Sequence, residues 1–152
     1  QYEILTYLNK KYYNQKIVFK ANNTEHFNKI SLNLSNIEID YTSSFSDLLP
    51  NAKLVILDTP STTLVESCYT NKPIFVLDGR SKYTSKYKNL IKTRVAMFSN
   101  VKTLLKSIDR YMLKESYEPK KNTKELDQYF NFRSSEQKVY DSVIKSLNKI
   151  LN

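Results

Sequence analysis

Two short, uninterrupted apolar runs, Leu54–Leu57 and Ile74–Leu77, constrain this chain more than any other feature. A strand with one wet face alternates apolar and polar residues, whereas a continuous run suits a strand covered on both faces. Between the runs lies a turn, Asp58-Thr59-Pro60, and then a segment from Ser61 to about Thr70. In that segment Leu64, Val65, Cys68 and Tyr69 share one helical face. Pro73 then bars the helix from continuing. Strands separated by helices form βαβ units. These predict an α/β fold with a parallel sheet, helices on both faces and right-handed crossovers.

The remaining elements follow the same alternation. Residues 2–13 carry Tyr2, Leu5, Leu8 and Tyr12 at helical spacing, and Ile17-Val18-Phe19 reads as a short buried strand. Residues 22–36 are polar, with a weak helix around His26–Leu32. Ile37 and Ile39 alternate with polar neighbours, which suits a strand near a sheet edge. Ser44 opens a helix with Asp47 as its reciprocal cap, and Phe45, Leu48, Leu49 and Ala52 face inward. Residues 78–92 read as a polar, basic connection, followed by a strand over Val95–Phe98. Asn100 caps a helix with Val101, Leu104, Leu105, Ile108, Tyr111 and Met112 on one face. The expected organisation is one domain over residues 1–114, a charged linker over 115–133 and a C-terminal helix over 134–152 that packs back on the domain. The first helix has no strand before it, so the chain reads as part of a longer protein.

Composition narrows the function classes. Hydrophobic residues make up 40% and aromatic residues 12%, too rich for a disordered chain. No apolar run approaches the roughly 20 residues that span a bilayer. One cysteine, Cys68, excludes an internal disulfide framework, and one histidine, His26, leaves no triad or zinc cluster to assemble. Neither a P-loop nor a dinucleotide-binding glycine pattern is present, since the chain has a single glycine, Gly79. The net charge of +9 favours anionic partners in general. Arg80, Lys82, Lys86, Lys88, Lys92 and Arg94, with Tyr83 and Tyr87 among them, form a basic stretch that reads as a solvated loop or a polyanion track.

The chemistry concentrates after the first apolar run. Ligands of parallel α/β sheets sit at the carboxyl ends of the strands. That edge gathers Lys20, Tyr41, Asp58–Thr63 and Asp78-Gly79. Ser61, Thr62 and Thr63 fall where a helix start exposes unpaired N–H groups, so backbone and hydroxyl donors converge there on an anion. Glu66, one turn further on, can accept hydrogen bonds from a ribose diol. The alternative for Glu66 is a capping box, Thr63-Leu64-Val65-Glu66, in which the carboxylate closes the helix start. Lys20, at the end of its strand, can meet a phosphate as a point charge or stand solvated.

The run from Ser46 to Ser67, followed by Asn71-Lys72-Pro73-Ile74, resembles the C-terminal, nucleotide-sugar-binding half of GT-B glycosyltransferases, above all those of bacterial surface-polysaccharide synthesis. The likeness covers roughly Ile17–Tyr111. It departs from the family where Asn71 and Lys72 stand in place of glycine-like residues. The resemblance implies a Rossmann-like domain in which Ser61, Thr62 and Thr63 contact the donor diphosphate, Glu66 meets the ribose and Lys20 supplies charge, with Asp58 in the same turn. It implies a nucleotide-sugar as substrate, no metal or other cofactor, and a glycan or lipid-linked acceptor. The catalytic base belongs to a separate N-terminal domain, without which the chain would bind donor weakly and be inactive. The expected location is the cytoplasm, with peripheral contact at an anionic inner membrane face and no specific nucleic acid. CDP-glycerol-type polyol-phosphate transferases and UDP-sugar 2-epimerases share the fold and turn, and a noncatalytic basic module binding polyanions or membrane is the non-enzymatic alternative.

Overall fold

The structure, a computed structural model, describes residues 1–21, 34–58, 62–79 and 84–114. In chain order these give α1 (Tyr2–Lys11), β1 (Ile17–Lys20), β2 (Ile37–Asp40), α2 (Phe45–Leu48) with a 3-10 turn (Leu49–Asn51), and β3 (Val55–Leu57). α3 (Thr62–Cys68), β4 (Ile74–Leu77), α4 (Ser85–Lys92), β5 (Ala96–Phe98) and α5 (Val101–Lys114) complete them. The expected weak helix around His26–Leu32, the linker and the C-terminal helix lie outside the described residues.

The strands are parallel throughout and form two small sheets, β1-β2 and β3-β4-β5. The uninterrupted apolar runs behave as the pleat requires. Val55, Leu57, Ile74 and Val76 point to one face, into a core with Leu49 of the 3-10 turn, Leu64 and Cys68 of α3 and Ile91 of α4. Leu54, Ile56, Phe75 and Leu77 point to the other, into a core with Ile4 and Leu8 of α1 and Leu104 and Ile108 of α5. The three-stranded sheet is therefore covered on both faces, as its strand sequences demanded.

α5 shows why these segments are helical. Asn100 Oδ1 accepts from the Thr103 backbone N–H at 3.0 Å, the cap that the sequence announces. Leu104 and Ile108, almost wholly buried, then recur one turn apart on its inner face. The Phe75 ring packs against Phe98 at 5.5 Å and against Tyr111 at 6.1 Å, joining β4, β5 and α5. At α2 both halves of the capping box form between Ser44 and Asp47. Pro50 falls inside the 3-10 turn that ends this helix after one turn.

One reading of the sequence is overturned. The segment expected to be a polar connection contains α4, whose N-cap Thr84 accepts from the Tyr87 N–H at 3.3 Å. Lysines hide its short apolar stripe, in which Ile91 is fully buried while Tyr87 and Leu90 pack beside it. None of the helices in the described residues is long and apolar enough to cross a membrane.

Candidate functional site

The carboxyl ends of the strands present Lys20, Asp40, Asp58 and Asp78 in turn. Asp58 follows β3 directly, is exposed, and accepts a hydrogen bond from the Gln1 side chain. The start of α1 thus stands at the carboxyl end of β3. Thr62 and Thr63 open α3, with Thr62 exposed and Thr63 half-buried. Ser61, the third expected hydroxyl, lies outside the described residues.

Glu66 is held across the edge, with Ser46 Oγ of α2 donating to its Oε2 at 3.0 Å. That bond ties the segment after β2 to the segment after β3. The capping-box alternative does not fit the observed helix start. α3 begins at Thr62, so Thr63 is already inside the helix and Glu66 lies beyond the third helical position where a box carboxylate stands. Glu66 is a half-buried carboxylate whose described hydrogen-bond partner is Ser46.

Lys20 bends back over the sheet end. Its Nζ donates to the carbonyls of Ala21 at 3.2 Å and Asp40 at 3.4 Å, and lies 4.0 Å from Asp40 Oδ1. Asp40 is more firmly engaged. Its carboxylate accepts from the Ser43 hydroxyl at 2.6 Å and from the backbone N–H groups of Ser43 at 2.8 Å and Thr42 at 2.9 Å. The Ser43 hydroxyl is the largest cause that holds this carboxyl below its usual range. Asp40 shapes the turn into α2, and Lys20 is a loosely tethered cation beside it.

Asp78, at the end of β4, pairs through Oδ2 with Lys88 Nζ of α4 at 2.8 Å. Its Oδ1 is buried and takes no hydrogen bond from a described residue.

Among the described residues of the basic stretch, Lys88 and Arg94 are engaged within the domain. Lys88 is committed to Asp78, and Arg94 turns inward until only 2% of it is exposed. Its guanidinium donates to three carbonyls at the far end of α3: Cys68 at 3.1 Å, Lys72 at 2.9 Å, and Thr70. A cation at a helix C-terminus satisfies orphan carbonyls and complements the helix dipole. Arg94 therefore fixes the rear of α3, while the front opens onto the strand edge. Lys86 and Lys92 remain exposed, and Arg80, Lys82 and Tyr83 lie outside the described residues. Cys68 sits buried beside this anchor, and burial pushes its thiol up to about 11, so it is an inert core residue.

Sequence reasoning missed Arg94 as an anchor and Ser46 as the partner of Glu66. An arginine just before a strand had one visible signal, since a charge next to Val95 in an apolar strand needs buried acceptors. Ser46 carried none, because its contact spans 20 residues of sequence.

Fold and edge together define an α/β domain of parallel strands with polar groups gathered at their carboxyl ends. Compared with protein-family models, curated proteins and solved structures, the chain matches none. Among the described residues no group of His, Cys, Asp and Glu is placed to hold a metal ion.

Proposed function

We propose that this chain is the donor-binding domain of a glycosyltransferase of surface-polysaccharide synthesis, Rossmann-like in fold and taking a nucleoside diphosphate sugar at the carboxyl edge of its strands. The observation that carries the reading is the β3–α3 unit. A strand ends just before Asp58, a helix opens on Thr62 and Thr63, and a carboxylate, Glu66, stands one turn on with a serine hydroxyl as its described hydrogen-bond partner. Hydroxyl and backbone donors at such a helix start suit a diphosphate. Glu66 is free to exchange Ser46 for the two hydroxyls of a ribose. Lys20 trades its long contacts to Ala21 and Asp40 for the phosphate charge. These donors would stabilise the nucleoside diphosphate as it leaves, which is the charge that develops in glycosyl transfer. The acceptor, a glycan or lipid-linked sugar, and the catalytic base belong to a second domain at the cytoplasmic face of the membrane. The resemblance of the segment from Ser46 to Ile74 supports the same reading.

Glu66→Gln separates a ribose ligand from a structural carboxylate. Glutamine still accepts from Ser46 Oγ, so the unfolding free energy from urea denaturation should move by less than about 0.5 kcal/mol. Against two ribose hydroxyls it offers one neutral oxygen in place of two charged ones. Nucleotide affinity should weaken by about 1–2 kcal/mol, the worth of a hydrogen bond to a charged group. Paired denaturation and titration check both numbers. Lost stability with unchanged affinity would make Glu66 structural.

A further inference from the structure

We infer that the groove at the amino ends of β1 and β2 is a binding site for neutral sugar, with Tyr13 as the ring on which a pyranose stacks. The groove has a volume of about 360 Å³ and is lined by residues 13–16 and 35–38. It lies where the chain enters the two parallel strands, since Ile17 opens β1 and Ile37 opens β2. Lys20 and Asp40, at the nucleotide edge, end the same strands about 10 Å away at the rise of a strand. Groove and edge are therefore separate, and the inference does not rest on the proposed function. The volume is near the lower end for small-ligand pockets, about 300–1,000 Å³, which suits one or two sugar rings.

The local sequence builds a fixed frame. α1 ends at Lys11, and the Gln15 N–H then donates to the Tyr12 carbonyl at 2.8 Å, closing a turn. Asn36 staples this turn to the start of β2. Its Nδ2 donates to the carbonyls of Tyr12 at 2.9 Å and Gln15 at 3.0 Å, and its backbone carbonyl accepts from the Ile17 N–H at 3.1 Å. A frame tied in this way is ordered before a ligand arrives, which lowers the entropy lost on binding. The turn leaves Tyr13, Asn14 and Lys16 exposed, Tyr13 at 69%.

The chemistry of the lining decides the ligand class. The chain carries a net charge of +9, yet the two ionic side chains of the groove cancel, because Lys16 Nζ lies 2.6 Å from Glu38 Oε2. A phosphate or a polyanion gains no net attraction from such a pair. Both partners are more than half exposed, so the pair is weakly held and can open to a hydroxyl group. Asn14, Gln15 and Ser35 add side chains that both donate and accept, as sugar hydroxyls do. The face of the Tyr13 ring carries the negative side of its quadrupole, which attracts the C–H groups on the flat face of a pyranose. Ring, amides and a self-neutralised ion pair together fit a neutral sugar and disfavour a nucleotide.

The test titrates maltose, lactose and N,N′-diacetylchitobiose, three neutral disaccharides, into the 152-residue chain while backbone amide resonances are followed. At least one of them should give saturable shifts centred on residues 13–16 and 35–38. Tyr13→Ala should weaken that binding by at least roughly ten-fold, the scale of an aromatic contact, whereas Tyr13→Phe keeps the ring and should retain it. The side chain is largely exposed, so neither change should disturb the fold, and resonances elsewhere in the domain verify this. UMP is the charged comparison and should leave the groove residues unshifted. The inference is overturned if none of the three sugars gives saturable shifts over these residues, or if Tyr13→Ala binds as the wild type does. It is equally overturned if UMP shifts the groove residues as strongly as the sugars do.

Discussion

Arg94→Ala should lower the stability of the domain by about 2–4 kcal/mol, since removing the guanidinium strands one buried and two half-buried carbonyls, and an unmet buried polar group costs about 1–3 kcal/mol. Cys68, Thr70 and Lys72 would lose their donor together, at a position that is 2% exposed. The Cys68 carbonyl lies in the core beside Val95, whereas the Thr70 and Lys72 carbonyls belong to half-buried residues. Small domains hold only about 5–15 kcal/mol in total, so the variant would sit near its unfolding threshold. Arg94→Lys keeps the charge but replaces a rigid fork with one mobile ammonium, and should recover about half of the loss. Urea denaturation of the three proteins checks the ranking. An alanine variant within about 0.5 kcal/mol of wild type, the range of an ordinary surface change, would return Arg94 to the solvent-facing basic stretch.

Asp109→Asn should have the second-largest effect, about 2–3 kcal/mol, because a charged acceptor of several hydrogen bonds becomes a neutral one. Asp109 of α5 accepts from Tyr7 at 2.6 Å, from Lys11 at 2.6 Å and from Tyr12 at 2.6 Å, and thereby clamps α1 to α5. The amide retains one acceptor oxygen, and its NH2 end would face a donor that it cannot satisfy. Burial is the largest single influence on the Asp109 carboxyl and pushes it up, yet the three hydrogen bonds together hold it below its ordinary value. A folded-state value below the unfolded one contributes stability above the unfolded pKa, about 3.9, and loses it as pH falls through the folded value. Wild type should therefore lose stability below about pH 4, and Asp109→Asn should flatten that part of the profile. The alkaline limb has the opposite sign. Burial, and then the bond to Asp109, raise the Tyr12 phenol, so its contribution is present below about pH 10 and disappears as pH climbs through the raised value. Thermal melts across both limbs test the clamp, and identical acid limbs in the two proteins would exclude it.

Local chemistry made much of this fold legible. The strands β3 and β4 announced themselves as continuous apolar runs, and Ser44 and Asn100 marked helix starts that the structure reproduces. α4 escaped because lysines mask its stripe, although Thr84 was a visible cap. The Asp109 clamp escaped for a different reason. Tyr7, Tyr12 and Lys11 meet it across roughly a hundred residues of chain, and no local pattern encodes a contact of that range. The same distinction applies to the edge. Asp58 and Thr62 could be placed from strand and helix order alone, whereas the Ser46–Glu66 bond and the tether of Lys20 to Asp40 depend on how separate units pack.

The central claim is that the start of α3 receives a nucleoside diphosphate. The direct measurement titrates UDP, CDP and GDP, each in turn, into the 152-residue chain while backbone amide resonances are followed. The account predicts saturable shifts for at least one of the three, concentrated over residues 58–66 and spreading to Lys20 and Ser46. Shifts confined to other parts of the domain, or none at all with any of the three, would contradict it.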